Sequence, residues 1–179
     1  MCDAVEGRFL QAGGVAELRA ACRQAAAEGA GAVFVGDGAL GDAAVLVAGL
    51  AAGSELLLGV CADLEAQAHR HPTLLAREMT TLDHLCGGRS VLVFAPRGDG
   101  LGEALLVCRA MWREGIAVSP GPFYPVPGAV NRPGPPQAGS PRLALDLTDG
   151  SAADPDLAAL VDLLLMPDAR PGVCQVQPA

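Results

Sequence analysis

The stretch from His71 to Arg97, HPTLLAREMTTLDHLCGGRSVLVFAPR, narrows the choice of folds more than any other part of the chain. Pro72 suits the first helical position, where its missing N–H has no intrahelical partner to lose. Leu75, Met79, Leu82 and Leu85/Cys86 recur at three- to four-residue spacing, which is one apolar helix face. Gly87-Gly88 stops the helix, since glycine adopts left-handed backbone angles without a steric penalty. Ser90 to Ala95 (SVLVFA) is nearly all apolar, as expected of a strand covered on both faces in a parallel sheet.

The same alternation extends in both directions. Gly7 to Gln11 (GRFLQ) reads as a first strand, broken by Gly13-Gly14. Val15, Leu18, Cys22 and Ala25/Ala26 form the inner face of a helix that ends near Gly29. Ala32 to Gly36 (AVFVG) is a second buried strand, and Asp42 is placed to cap an Ala-rich helix from Ala43 to Ala52. Glu55 to Cys61 (ELLLGVC) is a third strand. Beyond the central stretch, Leu101, Ala104, Leu105, Cys108, Met111 and Trp112 lie on one helix face.

From Ile116 to Pro141 there are eight prolines with glycines between them, which excludes regular helix and central strand. A segment of that length without its own structure reads as a functional loop. Arg142 to Asp146 (RLALD) is a fifth strand, Asp154-Pro155 opens a short helix, and Leu163 to Met166 (LLLM) is a sixth strand. The tail from about residue 167 reads as loose. Strand alternates with helix and no hairpin signal is visible, so the chain is expected to be α/β with parallel strands, in one domain spanning 1–179.

Composition excludes several functions. Hydrophobic residues make up 51% of the 179 residues and charged ones 18%, which is ample for a core. A net charge of −8, with no concentration of arginine, argues against a nucleic-acid surface. No apolar run reaches the roughly 18–20 residues of a membrane span, and the acidic start MCDAVEGRF lacks a signal-peptide core, so a cytoplasmic protein is expected. The six cysteines (2, 22, 61, 86, 108 and 174) are scattered without a CxxC, which favours reduced buried thiols. His69 and His71 have no Cys, Asp or Glu at ligand spacing, so no metal site is expected. No nucleophile elbow or Walker loop is present, and no catalytic residue is assigned.

The central stretch resembles the luciferase-like monooxygenase family of flavin- and F420-dependent oxidoreductases. The resemblance rests on His71-Pro72, Leu75-Ala76-Arg77, Leu82-Asp83 and Gly87-Gly88-Arg89 leading into a strand. It continues through Gly102 to Gly115 with Trp112 and the loop Gly121-Pro-Phe-Tyr124, covering roughly residues 30 to 147. It implies a TIM-type (β/α) barrel, and because a complete one takes about 250 residues, an incomplete or truncated barrel with about six parallel strands. Its open edges would be covered by the proline-rich loop or by dimerisation. The alternative is an independent doubly wound sheet.

The resemblance also implies a site at the C-terminal rim of the strands, holding FMN or F420 beside a small-molecule substrate. Asp37 matches the aspartate of the family's Asp-His pair, but Gly38 follows it here; its other reading is a turn cap. Gly59 and Val60 match the segment beneath the isoalloxazine ring, although glycine at a strand end is also ordinary. Arg97 and Gly98 match an Arg-Gly that contacts the flavin phosphate, and a guanidinium with glycine N–H groups before a helix suits an anion. Equally, Arg97 could pair with Asp99 or Glu103. At the fifth strand, Asp146 and Asp149 with Thr148 to Ser151 stand where the family places a Gly-Gly-Ser-type phosphate turn, and two carboxylates would repel a dianion. Residues 116 to 141 would form a lid. Two functions follow: a flavin- or F420-dependent oxidoreductase, or a non-catalytic relative acting as partner subunit or interaction module, in a homodimer or a heterodimer with a related chain.

Overall fold

In the computed structural model, which describes residues 4–36, 41–65, 70–137 and 140–179, the alternation of strand and helix is realised as a closed barrel. The strands β1 (Val5–Phe9), β2 (Ala32–Gly36), β3 (Leu57–Ala62) and β4 (Ser90–Phe94) are followed around the barrel by β7 (Arg142–Asp146), β8 (Leu163–Pro167) and β9 (Val173–Pro178). The first six run parallel; β9 is antiparallel to both β8 and β1. The helices are α1 (Val15–Ala27), α2 (Ala43–Ala51), α3 (Pro72–Cys86), α4 (Leu101–Arg113) and the short α5 (Pro155–Ala158).

Local chemistry explains where the helices begin and end. Asp42 accepts from Val45 N–H at the start of α2 (3.1 Å), and Asp154 accepts from Asp156 N–H before α5 (2.8 Å). At α3, His71 is the cap: its Nδ1 accepts from Thr73 N–H at 3.3 Å, and Pro72 follows as the first helical residue. Gly87 ends α3 in the left-handed region with φ 64°. Asp83, fully buried, ties that end to the barrel. Its carboxylate accepts from the Ser90 N–H (3.2 Å) and hydroxyl (2.6 Å), and from the Gln137 N–H (3.0 Å) and side-chain amide (2.9 Å). The Leu-Asp of the central stretch is therefore a structural joint between α3, β4 and the loop before β7.

Alternation along the strands sorts the core into two parts. Leu58, Val60, Leu92, Leu143 and Leu145 belong to the layer between barrel and helices. Ala32, Phe34, Val91, Val93, Ala144, Leu165, Cys174 and Val176 fill the barrel interior, with Phe9, Leu57, Cys61 and Leu163 packed against them. The interior is a packed core.

Two expectations are corrected. The tail is not loose: residues 173–178 form β9, which closes the barrel with Gly7 opposite Cys174 on one side and Leu165 opposite Val176 on the other. The sheet therefore has seven strands and no open edges. The connection from β8 spans only 168–172, too short for a parallel crossover, which needs a dozen or more residues, so the strand returns antiparallel. Among the described residues no long helix covers the outer face of β9. A polar chain lies there instead: Glu28–Arg8–Glu6–Arg170–Asp168–Gln175, with links of 2.6 to 2.9 Å.

The second correction concerns 116–141. Here β5 (Ile116–Ser119) and β6 (Val126–Val130) pair antiparallel as a hairpin lying on the helices. Ala117 and Val126 are buried, and the Asn131 amide donates to Thr80 Oγ1 at 2.9 Å. Prolines 120, 122 and 125 lie in the turn, where no ladder hydrogen bond is lost, and Pro127 lies on an edge of the two-stranded sheet.

Candidate functional site

In a parallel barrel the loops at the C-terminal ends of the strands converge around one mouth. The floor of this mouth is aromatic. Phe9, the last residue of β1, packs against Phe34 with ring centroids 5.4 Å apart and an interplanar angle of 38°. Around the floor stand Cys61 from β3, Asp146 from β7 and Cys174 from β9. Burial, reinforced by the negative charge of Asp146, raises both thiols, Cys174 to about 12 and Cys61 higher still. Neither is a thiolate nucleophile near neutral pH. The Asp146 carboxylate accepts from Thr148 N–H (3.0 Å) and its hydroxyl (2.6 Å), so the turn after β7 directs its first donors onto its own aspartate.

Arg97 leaves β4 at the rim and is more than half exposed. Its guanidinium grips Asp63, which follows β3, at 2.7 Å from Nη2 and 3.3 Å from Nε. Glu65 and Asp149 add their negative charge around it, and together these carboxylates raise the arginine further above its usual range. Asp149 is held below the usual carboxylate range, chiefly by its hydrogen bonds with Ser151 and also by Arg97. One guanidinium thus faces three carboxylates, a local excess of negative charge. Gly98 continues the turn at φ 93°, and a Cβ there would approach Glu65 Cγ at 3.3 Å.

The other anticipated residues separate. Asp37 lies outside the described residues. Gly59 faces the barrel interior, but the space before it holds the Phe34 ring, so the absent side chain admits Phe34. Val60 points the other way, into the layer shared with the helices, and is 1% exposed. Arg97 and Gly98 are therefore the anticipated pair that the described structure keeps together at the rim. Their carboxylate partner is Asp63, where the sequence suggested Asp99 or Glu103.

Glu103 has a different task. In the first turn of α4 it accepts from Phe123 N–H (3.0 Å), Tyr124 N–H (2.9 Å) and the Ser119 hydroxyl (2.8 Å), fastening the hairpin tip to the rim end of α4. Tyr124 in turn meets the edge of His71 at 5.6 Å between ring centroids. Sequence reasoning missed Asp63, Phe9 and Glu103. Asp63 was findable as the acidic residue directly after a parallel strand; the role of Glu103 depends on a turn some twenty residues away.

For an anionic cofactor the arrangement is a partial fit. The apolar floor suits a flat ring, whereas the donors that would receive a phosphate are already engaged by Asp63, Asp146 and Asp149. Among the described residues no group of histidine, cysteine and carboxylate side chains could hold a metal ion, and no helix is long and apolar enough to cross a membrane.

The closed, mostly parallel barrel with its outer helices is a TIM-type (β/α) barrel in shortened form. Solved structures share this fold. The F420-dependent tetrahydromethanopterin reductase of Methanopyrus kandleri superposes with a TM-score of 0.76 at 15% identity, over 92% of this chain and 56% of that one. An F420-dependent secondary alcohol dehydrogenase in complex with an F420–acetone adduct gives 0.70 at 15% identity, over 89% and 57%. A type II Baeyer–Villiger monooxygenase from the CAM plasmid of Pseudomonas putida, in complex with FMN, gives 0.60 at 15% identity, over 80% and 52%. The chain thus spans little more than half the length of each of these structures. No family model matches the sequence, and no curated protein does.

Proposed function

We propose that the chain is an oxidoreductase-type barrel that receives a flavin-type cofactor, FMN or F420, at the mouth above Phe9. The observation that carries this reading is that the whole barrel, over 92% of the chain, follows the fold of an F420-dependent reductase, with an aromatic floor at the end where barrel enzymes bind ligands. When bound, such a cofactor supplies hydride chemistry, and the chain's residues contribute positioning and exclusion of water. Phe9, backed by the buried Phe34, offers the ring an apolar seat. Arg97 is the anchor available to a phosphate, once it exchanges Asp63 for the ligand. The hairpin tip at 119–125, fastened by Glu103, borders the substrate side.

A second reading is favoured by one specific observation: the carboxylates around Arg97. A dianion brought to this rim meets Asp63, Glu65 and Asp149 together, and their repulsion opposes binding. On that reading the barrel is a non-catalytic relative that works as a partner subunit.

Titration with FMN and with F420, followed by fluorescence and by melting temperature, separates the two. The oxidoreductase reading expects a saturable shift with one of them, weakened in Arg97→Ala and strengthened in Asp63→Asn, which frees the guanidinium. Absence of binding at about 100 µM of either cofactor, well above a micromolar affinity, in both the parent chain and Asp63→Asn, rejects it.

A further inference from the structure

Arg77 and Arg132 form no ion pair among the described residues, and both line one cleft of about 290 Å³. The cleft lies outside the barrel, between the second half of α3 and the chain leaving β6. Because α3 runs from the mouth back to the opposite end of the barrel, no residue of the rim borders it. Arg77, Thr81 and His84 share one helix face at three- and four-residue spacing, and Asn131 and Arg132 approach from the hairpin. The contrast with Arg97, which faces three carboxylates, is sharp. Glu78, the neighbour of Arg77, is turned to Arg70 (3.7 Å), Asp83 is occupied by Ser90 and Gln137, and Glu114 forms no ion pair with Arg132 among the described residues. In a chain of net charge −8, two arginines left unpaired in one cleft make a local positive field.

The floor of the cleft is polar, and its hydrogen-bond directions are determined. Thr80, 4% exposed, donates its hydroxyl proton to the Ala76 carbonyl at 2.9 Å. The group that Asn131 turns to the same hydroxyl, also at 2.9 Å, is therefore an amide N–H, and this fixes the orientation of the amide. The carbonyl oxygen of Asn131 then makes no hydrogen bond among the described residues, although the residue is only 3% exposed and borders the cleft. A buried acceptor left over in this way is satisfied by a donor that enters the cleft. His84 Nε2 lies 2.9 Å from the Gly134 carbonyl; a carbonyl accepts, so Nε2 carries the proton and Nδ1 of the neutral ring is a second acceptor. Thr81 gives its hydroxyl proton to the Arg77 carbonyl (3.2 Å) and keeps its lone pairs available.

The cleft thus combines two guanidiniums with acceptors that have no proton of their own to offer. We propose that it binds a small phosphate monoester of a hydroxylated carbon chain, a sugar phosphate in class. The phosphoryl group sits between Arg77 and Arg132, whose planar forks match the oxygens of a dianion. The hydroxyl groups of the ligand donate to Asn131 Oδ1, Thr81 Oγ1 and His84 Nδ1, which a ligand without donors would leave unmatched. Leu85, 58% exposed at the edge of the cleft, lies beside the carbon chain. The volume is at the small end of ligand clefts and suits an ester of about five or six carbons. This site stands apart from any cofactor at the mouth.

Calorimetric titration of the chain with ribose 5-phosphate, inorganic phosphate and ribose tests this. Ribose 5-phosphate is expected to bind with a dissociation constant of about 100 µM, inorganic phosphate about tenfold more weakly, and ribose not measurably. Arg77→Ala and Arg132→Ala each weaken binding about tenfold while the melting temperature is retained, since both side chains are exposed. Arg77→Gln and Arg132→Gln serve as second variants should those fold poorly. Thr81→Val weakens the sugar phosphate about fivefold and leaves inorganic phosphate unaffected, a split that a general loss of structure does not produce. Arg97→Ala leaves binding unchanged, which separates this site from the mouth. Absence of binding up to about 5 mM, equal affinity for inorganic phosphate and ribose 5-phosphate, or binding lost in Arg97→Ala but kept in the Arg77 and Arg132 variants would each overturn the proposal.

Discussion

The ring of Phe34 lies across Gly59 so closely that a Cβ at Gly59 would overlap ring atom Cδ1 and stand 2.7 Å from Cε1. On the opposite side the same ring meets Gly7, where a Cβ would stand 2.5 Å from Cε2. Two glycines from β1 and β3 thus make room for one phenylalanine from β2. Glycine in these strands is a packing device at the centre of a narrow seven-stranded barrel. Gly59→Ala is expected to destabilise the protein by about 1–3 kcal/mol through overpacking. Phe34→Leu added to it should recover part of the loss, and urea unfolding of the two single variants and the double variant measures that coupling.

Asp83 is expected to be the most sensitive position on α3. Asp83→Ala strands donors of Ser90 and Gln137 in a buried place, and unsatisfied donors of this kind cost about 1–3 kcal/mol each. Asp83→Asn keeps part of the acceptor capacity and should cost less. Equal loss in the two variants, read from chemical denaturation, would refute the assignment of the carboxylate as a four-way joint.

The polar chain outside β9 should appear in acid. Asp168 is held well below the usual carboxylate range by Arg170, then by Gln175. A carboxyl depressed on folding contributes stability above its unfolded value near 3.8, and that contribution disappears as pH falls through the folded value. Arg170→Gln should therefore move the acid-unfolding midpoint to higher pH, followed by circular dichroism. An unchanged midpoint would show that the seam contributes nothing to closure.

Buried thiols give the opposite limb. Cys108, fully buried with its Sγ–H directed at the Pro72 carbonyl at 3.5 Å, is raised to about 12 from 9.0 by burial. Above pH 9 the unfolded chain releases a proton that the folded chain retains, so stability falls as pH rises from about 9 toward about 12. Cys108→Ala should flatten that alkaline decline. Iodoacetamide at pH 8 should leave Cys108 and Cys174 unmodified until urea is added, as read by mass spectrometry.

The Pro-Gly segment shows where sequence reasoning was limited. Eight prolines in 116–141 pointed to a loop, yet Ile116–Ser119 and Val126–Val130 pair because most of those prolines fall in turns, and Pro127 falls on a sheet edge, where ladder hydrogen bonds are not required. Val173–Pro178 was missed for another reason. Its alternation of Cys174 and Val176 with Gln175 and Gln177 spans too few residues to stand out, and it becomes a strand because β8 and β1 are each left with an open edge.

At the site the division is similar. That Arg97 and Gly98 form a turn at the end of a buried strand was legible, since both signals are local. That the guanidinium belongs to Asp63 was not, because 34 residues separate the two and only the parallel pairing of β3 with β4 brings the ends of those strands together. The sequence by itself determined the helices, the cap at Asp42, the helix openings at Pro72 and Asp154-Pro155, and the parallel strands, because periodicity and capping act within a turn or two of the chain. Only the tertiary structure decided how the barrel closes, what fills it and which charges meet at its mouth, because those contacts join residues far apart in sequence and depend on strand register.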